Sequence, residues 1–135
     1  MYKKTVTYTD YNGVEREEDF YFHMTEAELF DLENSVNGGY TAMVKKIIAA
    51  KNAPEIIKVF KDIMRLSYGV KSDDGRRFIK NEQVLEEFTQ TEAYSQIYME
   101  LATNADAAAE FVNGVLPANI SAAANGVAVL PGGRA

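Results

Sequence analysis

The first 24 residues alternate between polar and apolar side chains in the way that paired β-strands do. Val6 and Tyr8 alternate with threonines, and two phenylalanines share one face of a second stretch. Asn12-Gly13, which lies between the two stretches, is the pair that a tight type I′ turn favours. The pattern therefore predicts a β-hairpin over residues 3–24. Because an isolated hairpin is only marginally stable, we expect other elements to cover its apolar face.

After the hairpin, the apolar positions change to helical spacing, with a stop signal between successive runs. Thr25 and Glu28 form a capping box that marks the start of the first helix. Pro54 suits the first position of a third helix, and Gly69 is a natural stop for that helix. Three further helix starts are expected after residues that can cap them: Asn81, Thr91 and Asn104. We therefore expect about five or six short helices within residues 25–116.

These elements predict one α+β domain, mostly α, in which the N-terminal hairpin packs on a bundle of helices over residues 1–117. Residues 118–135 are rich in Ala, Gly, Val and Pro, lack periodicity and carry one charged side chain, Arg134. That composition is typical of a flexible low-complexity tail. Its short apolar run, Val127 to Leu130, is either a docking segment or part of a plain disordered terminus.

Charge is unevenly distributed along the chain. The segment from Val70 to Lys80 is a polar connection with a turn at Asp74-Gly75, and it lies in a basic group: Arg65, Lys71, Arg76, Arg77 and Lys80. Residues 82–110 hold seven acidic side chains and no Lys or Arg. A positive loop beside a negative helical face favours oriented docking to a partner. Arg76, Arg77 and Lys80 are therefore candidate partner-binding residues, the alternative being ordinary solvated charge.

Tyr94 and Tyr98 are two further candidates for partner binding. They are four residues apart on a predicted helix, so their side chains share one helical surface. Tyrosine is favoured at interfaces because it buries a large area at little entropic cost and keeps a polar tip. The alternative is that both are partly buried core residues.

The composition excludes several kinds of chemistry. The chain has no Cys and one His, His23, so disulfides, a zinc–thiolate site and a cysteine nucleophile are excluded. Phosphate-binding glycine loops are absent, and Asp73-Asp74-Gly75 does not fit a calcium loop. A net charge of −6 disfavours nucleic-acid binding, and no stretch approaches the roughly 20 apolar residues of a membrane span. We predict no catalytic residue, no cofactor, no metal site, no nucleic-acid or membrane partner, and a cytoplasmic protein that binds other proteins.

Several short motifs follow one another between Ser67 and Pro117. They are Ser-Tyr-Gly-Val-Lys-Ser-Asp-Asp-Gly-Arg from Ser67, Thr-Glu-Ala-Tyr from Thr91 and Gly-Val-Leu-Pro from Gly114. Together with the hairpin and first helix, they resemble a group of short proteins encoded among the morphogenesis genes of long-tailed, siphovirus-type bacteriophages. Several of those proteins look like tail assembly chaperones. The resemblance covers most of residues 5–117 and transfers no functional residue.

The resemblance implies a non-catalytic helper that binds the phage tape-measure protein in the host bacterial cytoplasm. It would hold apolar helical segments in solution while tail-tube subunits assemble. The expected partners are therefore the tape-measure or tail-tube protein, and the chain could also form a homo-oligomer. In that family a longer product often arises by ribosomal frameshifting, with which the low-complexity tail is compatible. The alternative is a structural virion component, such as a head–tail connector or minor tail protein. A small enzyme or nucleic-acid regulator would need a cleft with perturbed pKa values or a basic recognition helix, and the sequence offers neither.

Overall fold

The structure, a computed structural model, describes residues 1–116. Its elements in chain order are β1 (Tyr2–Thr9), β2 (Glu15–Phe22), α1 (Glu26–Glu33), α2 (Tyr40–Ala49), α3 (Ala53–Ser67), β3 (Tyr68–Lys71), β4 (Phe78–Ile79), α4 (Glu82–Thr89), α5 (Glu92–Thr103) and α6 (Ala105–Val115). The predicted fold class, α+β and mostly α with an N-terminal hairpin, is confirmed. The tail expected at 118–135 lies outside the described residues.

The first hairpin is present, but its turn differs from the prediction. The last strand pair is Thr9 with Glu15, which leaves a five-residue loop. The Gly13 amide donates to the Asp10 carbonyl, so Tyr11 and Asn12 are the central residues of the turn and Gly13 follows it at φ 79°. A type I′ turn at Asn12-Gly13 would need positive φ at both residues, and Asn12 does not have it. The Asp10 carboxylate accepts the amides of Asn12 and Val14, which stabilises the longer loop.

A second hairpin corrects the prediction that Val70 to Lys80 is only a connection. β3 pairs antiparallel with the end of β2 and with β4, giving a sheet in the order β1-β2-β3-β4. The partners are Tyr21 with Gly69 and Val70 with Ile79. Short strands with few alternating apolar positions give a weak signal on their own, and here the edge of β2 supplies the pairing.

The sequence predicted that Gly69 would end the third helix. In the structure α3 ends at Ser67 and the chain enters β3 directly, so Gly69 lies within a strand. Gly69 has no positive φ, so its role is spatial. A Cβ built there would lie 2.5 Å from Phe78 Cε2 and 2.8 Å from Lys80 Cγ. The missing side chain therefore lets the Phe78 ring and the Lys80 stem cross β3 closely.

One face of the sheet is packed against helices. Val6 and Tyr8 of β1 and Phe20 and Phe22 of β2 are buried, whereas the threonines that alternate with Val6 and Tyr8 are exposed. α5 and α6 contact β1, α3 contacts β2 and α4 contacts β3. The Phe22 ring is at the centre, with ring centroids 5.2 Å from Phe111 and 6.0 Å from Phe88. Burial of these aromatic rings is the main source of stability for such a core.

The predicted helix starts are confirmed by their capping bonds. Thr25 and Glu28 form the full capping box, and the polar side chains at the starts of α4, α5 and α6 each accept the amide three residues on: Asn81, Thr91 and Asn104. α2 is different, since its cap is Gly39 and has no side chain. The Glu33 carboxylate accepts the Thr41 amide and hydroxyl at 3.0 and 2.7 Å instead.

Candidate protein-binding surface

A groove lies between the end of α3 and the start of α4. It encloses about 540 Å³ and is lined by residues from α1, α3, β3 and α4 and from the β4–α4 connection: Glu28, Arg65, Leu66, Tyr68, Lys80, Asn81, Glu82, Leu85 and Glu86. We call it the α3–α4 groove. Leu66, Tyr68 and Leu85 provide apolar surface, and the charged side chains form the rim. Small-molecule and peptide sites commonly combine an apolar floor with a few polar groups in this way.

Lys80 holds the groove wall together. Its ammonium donates to the carbonyl oxygens of His23 at 3.0 Å and Leu66 at 3.1 Å, and it pairs with the Glu28 carboxylate at 2.8 Å. One cation thereby joins the end of β2, the end of α3 and the start of α1. The Lys80 ammonium is thus engaged in contacts within the chain and serves a structural role, unlike the side chains of Arg76 and Arg77.

The pKa of Glu28 reflects the same contacts. Partial burial by itself would raise the pKa of this carboxyl, but the hydrogen bond from Lys80 and the Thr25 amide lower it by more, so the pKa lies below its usual value. Glu28 therefore carries its negative charge at neutral pH, and the pairing with Lys80 is fully formed there.

Arg76 and Arg77 lie in the β3–β4 turn and are both exposed. The Asp74 carboxylate accepts the Ser72 hydroxyl and the Arg76 amide, and the Ser72 hydroxyl oxygen accepts the Arg77 amide. The hydrogen bond from Ser72 is the largest cause of a lowered Asp74 pKa. Neither guanidinium forms an ion pair within residues 1–116. The turn backbone is therefore ordered by its own polar groups, while both arginine side chains face solvent.

The structure brings Tyr94 and Tyr98 together, with ring centroids 5.9 Å apart. Both are half-buried and pack against the core. Tyr94 stands edge-on to Phe88 at 5.2 Å, and Tyr98 is tilted against Phe60 at 5.5 Å. Burial is the main cause of a raised Tyr94 pKa. Only the exposed edges of the two rings are free to contact a partner. Their position therefore resembles that of partly buried core residues more than that of an exposed binding surface.

The apolar residues of the groove were missed by the sequence reasoning. Leu66 lies off the inward stripe of α3 and is 43% exposed, although leucine usually prefers burial. An apolar residue on the polar side of an amphipathic helix was the available signal. Tyr68 could not be recognised, because its place in the groove depends on the β2–β3 pairing.

The described residues offer little for metal chemistry. Within residues 1–116 no group of three or more His, Cys, Asp or Glu side chains could hold a metal ion. His23 is edge-on to Phe78 with ring centroids 6.1 Å apart, and partial burial is the main cause of its lowered pKa. In the same part of the chain, no helix has both the length and the apolar character to cross a membrane.

The described residues form a small α+β domain that exposes a partly apolar groove and a basic turn. Residues 1–128 match the family of phage tail assembly chaperones, and the chain belongs to that family. The resemblance drawn from the sequence is thereby confirmed. No curated protein and no solved structure matches the chain.

Proposed function

We propose that this tail assembly chaperone acts without catalysis and binds the phage tape-measure protein during tail morphogenesis in the host bacterial cytoplasm. Family membership supports a role in tail assembly with protein partners. The α3–α4 groove is the feature that carries the proposal, because exposed apolar surface beside charged side chains suits the apolar stripe of an amphipathic helix. The tail-tube protein is the other partner to test.

Leu66 is the side chain through which the groove is most directly tested. It is 43% exposed, so the folded chain leaves apolar surface that a bound helix would cover. Ile48 on α2 is a matched control, since it is 40% exposed and lies outside the groove. A central apolar contact in an interface typically contributes about 1–2 kcal/mol, or roughly 5- to 30-fold in affinity.

The experiment is co-expression of the chain with the tape-measure protein of the same phage, followed by affinity capture and titration. We expect Leu66→Asp to weaken capture at least about tenfold and Ile48→Asp to leave it within about twofold. Equal effects of the two substitutions would reject the groove, and failure of the unaltered chain to capture the tape-measure protein would reject the partner. The chain should also be absent from finished particles; its presence there would favour a structural virion component.

A further inference from the structure

We infer that the α3–α4 groove is selective for an amphipathic helix of a particular charge pattern. The apolar stripe of that helix is flanked on one side by two basic side chains four residues apart and on the other side by an acidic one. This selectivity rests on the proposed function, since it names the kind of helix that the chaperone takes in the groove. Three features of the groove support it: the charges that form no pair within the chain, their spacing and the wall on which each lies.

Three charged side chains of the groove have no oppositely charged partner in the described chain. Lys80 and Glu28 neutralise each other at 2.8 Å. Arg65, Glu82 and Glu86 are exposed and form no ion pair within residues 1–116. A purely apolar helix in the groove would take these charges out of water without pairing them, which weakens binding. A helix that supplies the opposite charges avoids this loss.

The two glutamates form one acidic edge of the groove. Glu82 and Glu86 are four residues apart on α4, so they lie on one face of that helix, about 6 Å apart along its axis. Leu85 shares this face and contributes to the apolar floor. Two Lys or Arg side chains one turn apart on a helix that lies along α4 have the same spacing. The α4 wall therefore favours paired basic residues on the adjacent flank of the bound helix.

The α3 wall carries the opposite charge. Arg65 and Leu66 are consecutive near the end of α3, which places a cation beside the exposed apolar surface of Leu66. Burial raises the pKa of Tyr94, and the nearby positive charge of Arg65 partly offsets that rise. An acidic side chain on the second flank of the bound helix would pair with Arg65. Because the two walls differ in sign, the helix has one preferred direction along the groove.

Two synthetic helical peptides test this charge pattern on the full chain. Both have apolar residues at positions i, i+3, i+4 and i+7 and a glutamate on one flank. The first carries two lysines four residues apart on the other flank, and the second has glutamates in place of those lysines. Titration of each labelled peptide, followed by fluorescence anisotropy, measures its affinity.

We expect the unaltered chain to bind the lysine peptide at least about tenfold more tightly than the glutamate peptide. The reason is that two partly exposed ion pairs in the first complex become two repulsions in the second. Equal affinity for the two peptides would overturn the proposal, as would failure to bind either of them.

Charge reversal in the chain supplies a matched comparison. Glu82→Lys/Glu86→Lys should invert the preference, so that the glutamate peptide binds more tightly. Asp106→Lys/Glu110→Lys is the control, because it makes the same change in net charge at two exposed positions four residues apart on α6, outside the groove. It should alter the preference by less than about twofold, since salt screens distant charges. An equal effect of the two variants would show that overall charge selects the peptide, and would overturn the proposal.

Melting curves followed by circular dichroism establish whether these variants are folded. Glu82→Gln/Glu86→Gln tests the same two carboxylates without adding positive charge and should abolish the preference. An undiminished preference in this variant would overturn the proposal.

The apolar floor is tested separately through Leu66→Ser. This variant should bind both peptides about fivefold more weakly while keeping the preference, because it removes apolar contact and leaves every charge in place. Unchanged affinity for the lysine peptide would show that charge attraction alone holds it, and would overturn the proposal.

Comparison with the tape-measure protein separates this selectivity from the proposed function. Capture of the tape-measure protein together with equal affinity for the two peptides rejects the charge selectivity alone. Preference for the lysine peptide without capture rejects the proposed function alone. Self-association of the chain that Glu82→Gln/Glu86→Gln abolishes, measured by sedimentation, would assign the groove to a second copy and overturn the proposal.

Discussion

Lys80→Met removes the ammonium that joins three elements while retaining most of the aliphatic stem. In the folded chain this ammonium contacts two backbone carbonyls and the Glu28 carboxylate, all within 3.1 Å. The side chain of Lys80 is 18% exposed, so water can replace these contacts only in part. We expect the variant to fold with a reduced free energy of unfolding and a less well-defined α3–α4 groove.

The expected loss of stability is about 2 kcal/mol. Hydrogen bonds to a charged group contribute about 1.5–3 kcal/mol each, but those near a surface lie at the low end because the carbonyls regain water. The ion pair with Glu28 adds no more than about 1 kcal/mol, since the carboxylate is itself substantially exposed. The methionine thioether recovers part of the loss by packing along the same path.

Urea denaturation followed by circular dichroism measures this loss, with Lys61→Met on the exposed side of α3 as the control. The comparison should be repeated at acidic pH. The folded-state pKa of Glu28 is lowered, so its contribution is complete above its usual value of 4.5 and is lost as the pH falls through the folded pKa. The difference between the unaltered chain and Lys80→Met should therefore narrow as the pH falls below 4.5 and through the lowered folded-state pKa of Glu28. A loss under about 0.5 kcal/mol at pH 7, or one equal to that of Lys61→Met, would refute the reasoning.

Three further predictions concern other parts of the chain. Gly69→Ala should lower the free energy of unfolding by about 1–2 kcal/mol in urea, because the new methyl group overlaps Phe78; an unchanged midpoint would contradict that close contact. Arg76→Ser/Arg77→Ser should weaken capture of the partner and flatten its salt dependence, measured by titration at two ionic strengths; unchanged low-salt affinity would count against a docking role. Deletion of residues 118–135 should change the free energy of unfolding by less than about 1 kcal/mol, since their composition is typical of low-complexity segments that do not join a packed core; a larger loss on thermal melting would show that the segment packs into the core.

Helix starts were predictable because capping is a local interaction. Thr25 and Glu28 satisfy each other's backbone across three residues, and at Asn81 the side chain likewise accepts the amide three residues on. No distant part of the chain is needed for these bonds, so residue type and spacing suffice. The start of α2 shows the limit, since the carboxylate that caps it belongs to Glu33, eight residues before Thr41.

The groove depended on contacts that sequence spacing does not reveal. Lys80 was grouped with Arg76 and Arg77 because all three are cations in one polar segment, yet it bonds to His23, 57 residues away. Tyr94 and Tyr98 were correctly placed on one helical surface, but their neighbours on α3 and α4 decide how much of each ring is exposed.

The sequence by itself determined the mixed fold class, the first hairpin, the capped helix starts and a resemblance that the family match confirms. Those features follow from periodicity and from bonds between residues close in the chain. Only the tertiary structure decided that β3 and β4 extend the sheet, that Gly69 provides space and that Lys80 joins the groove wall. The physical reason is that strand pairing and close packing join residues far apart in sequence, and their register is set by the whole core at once.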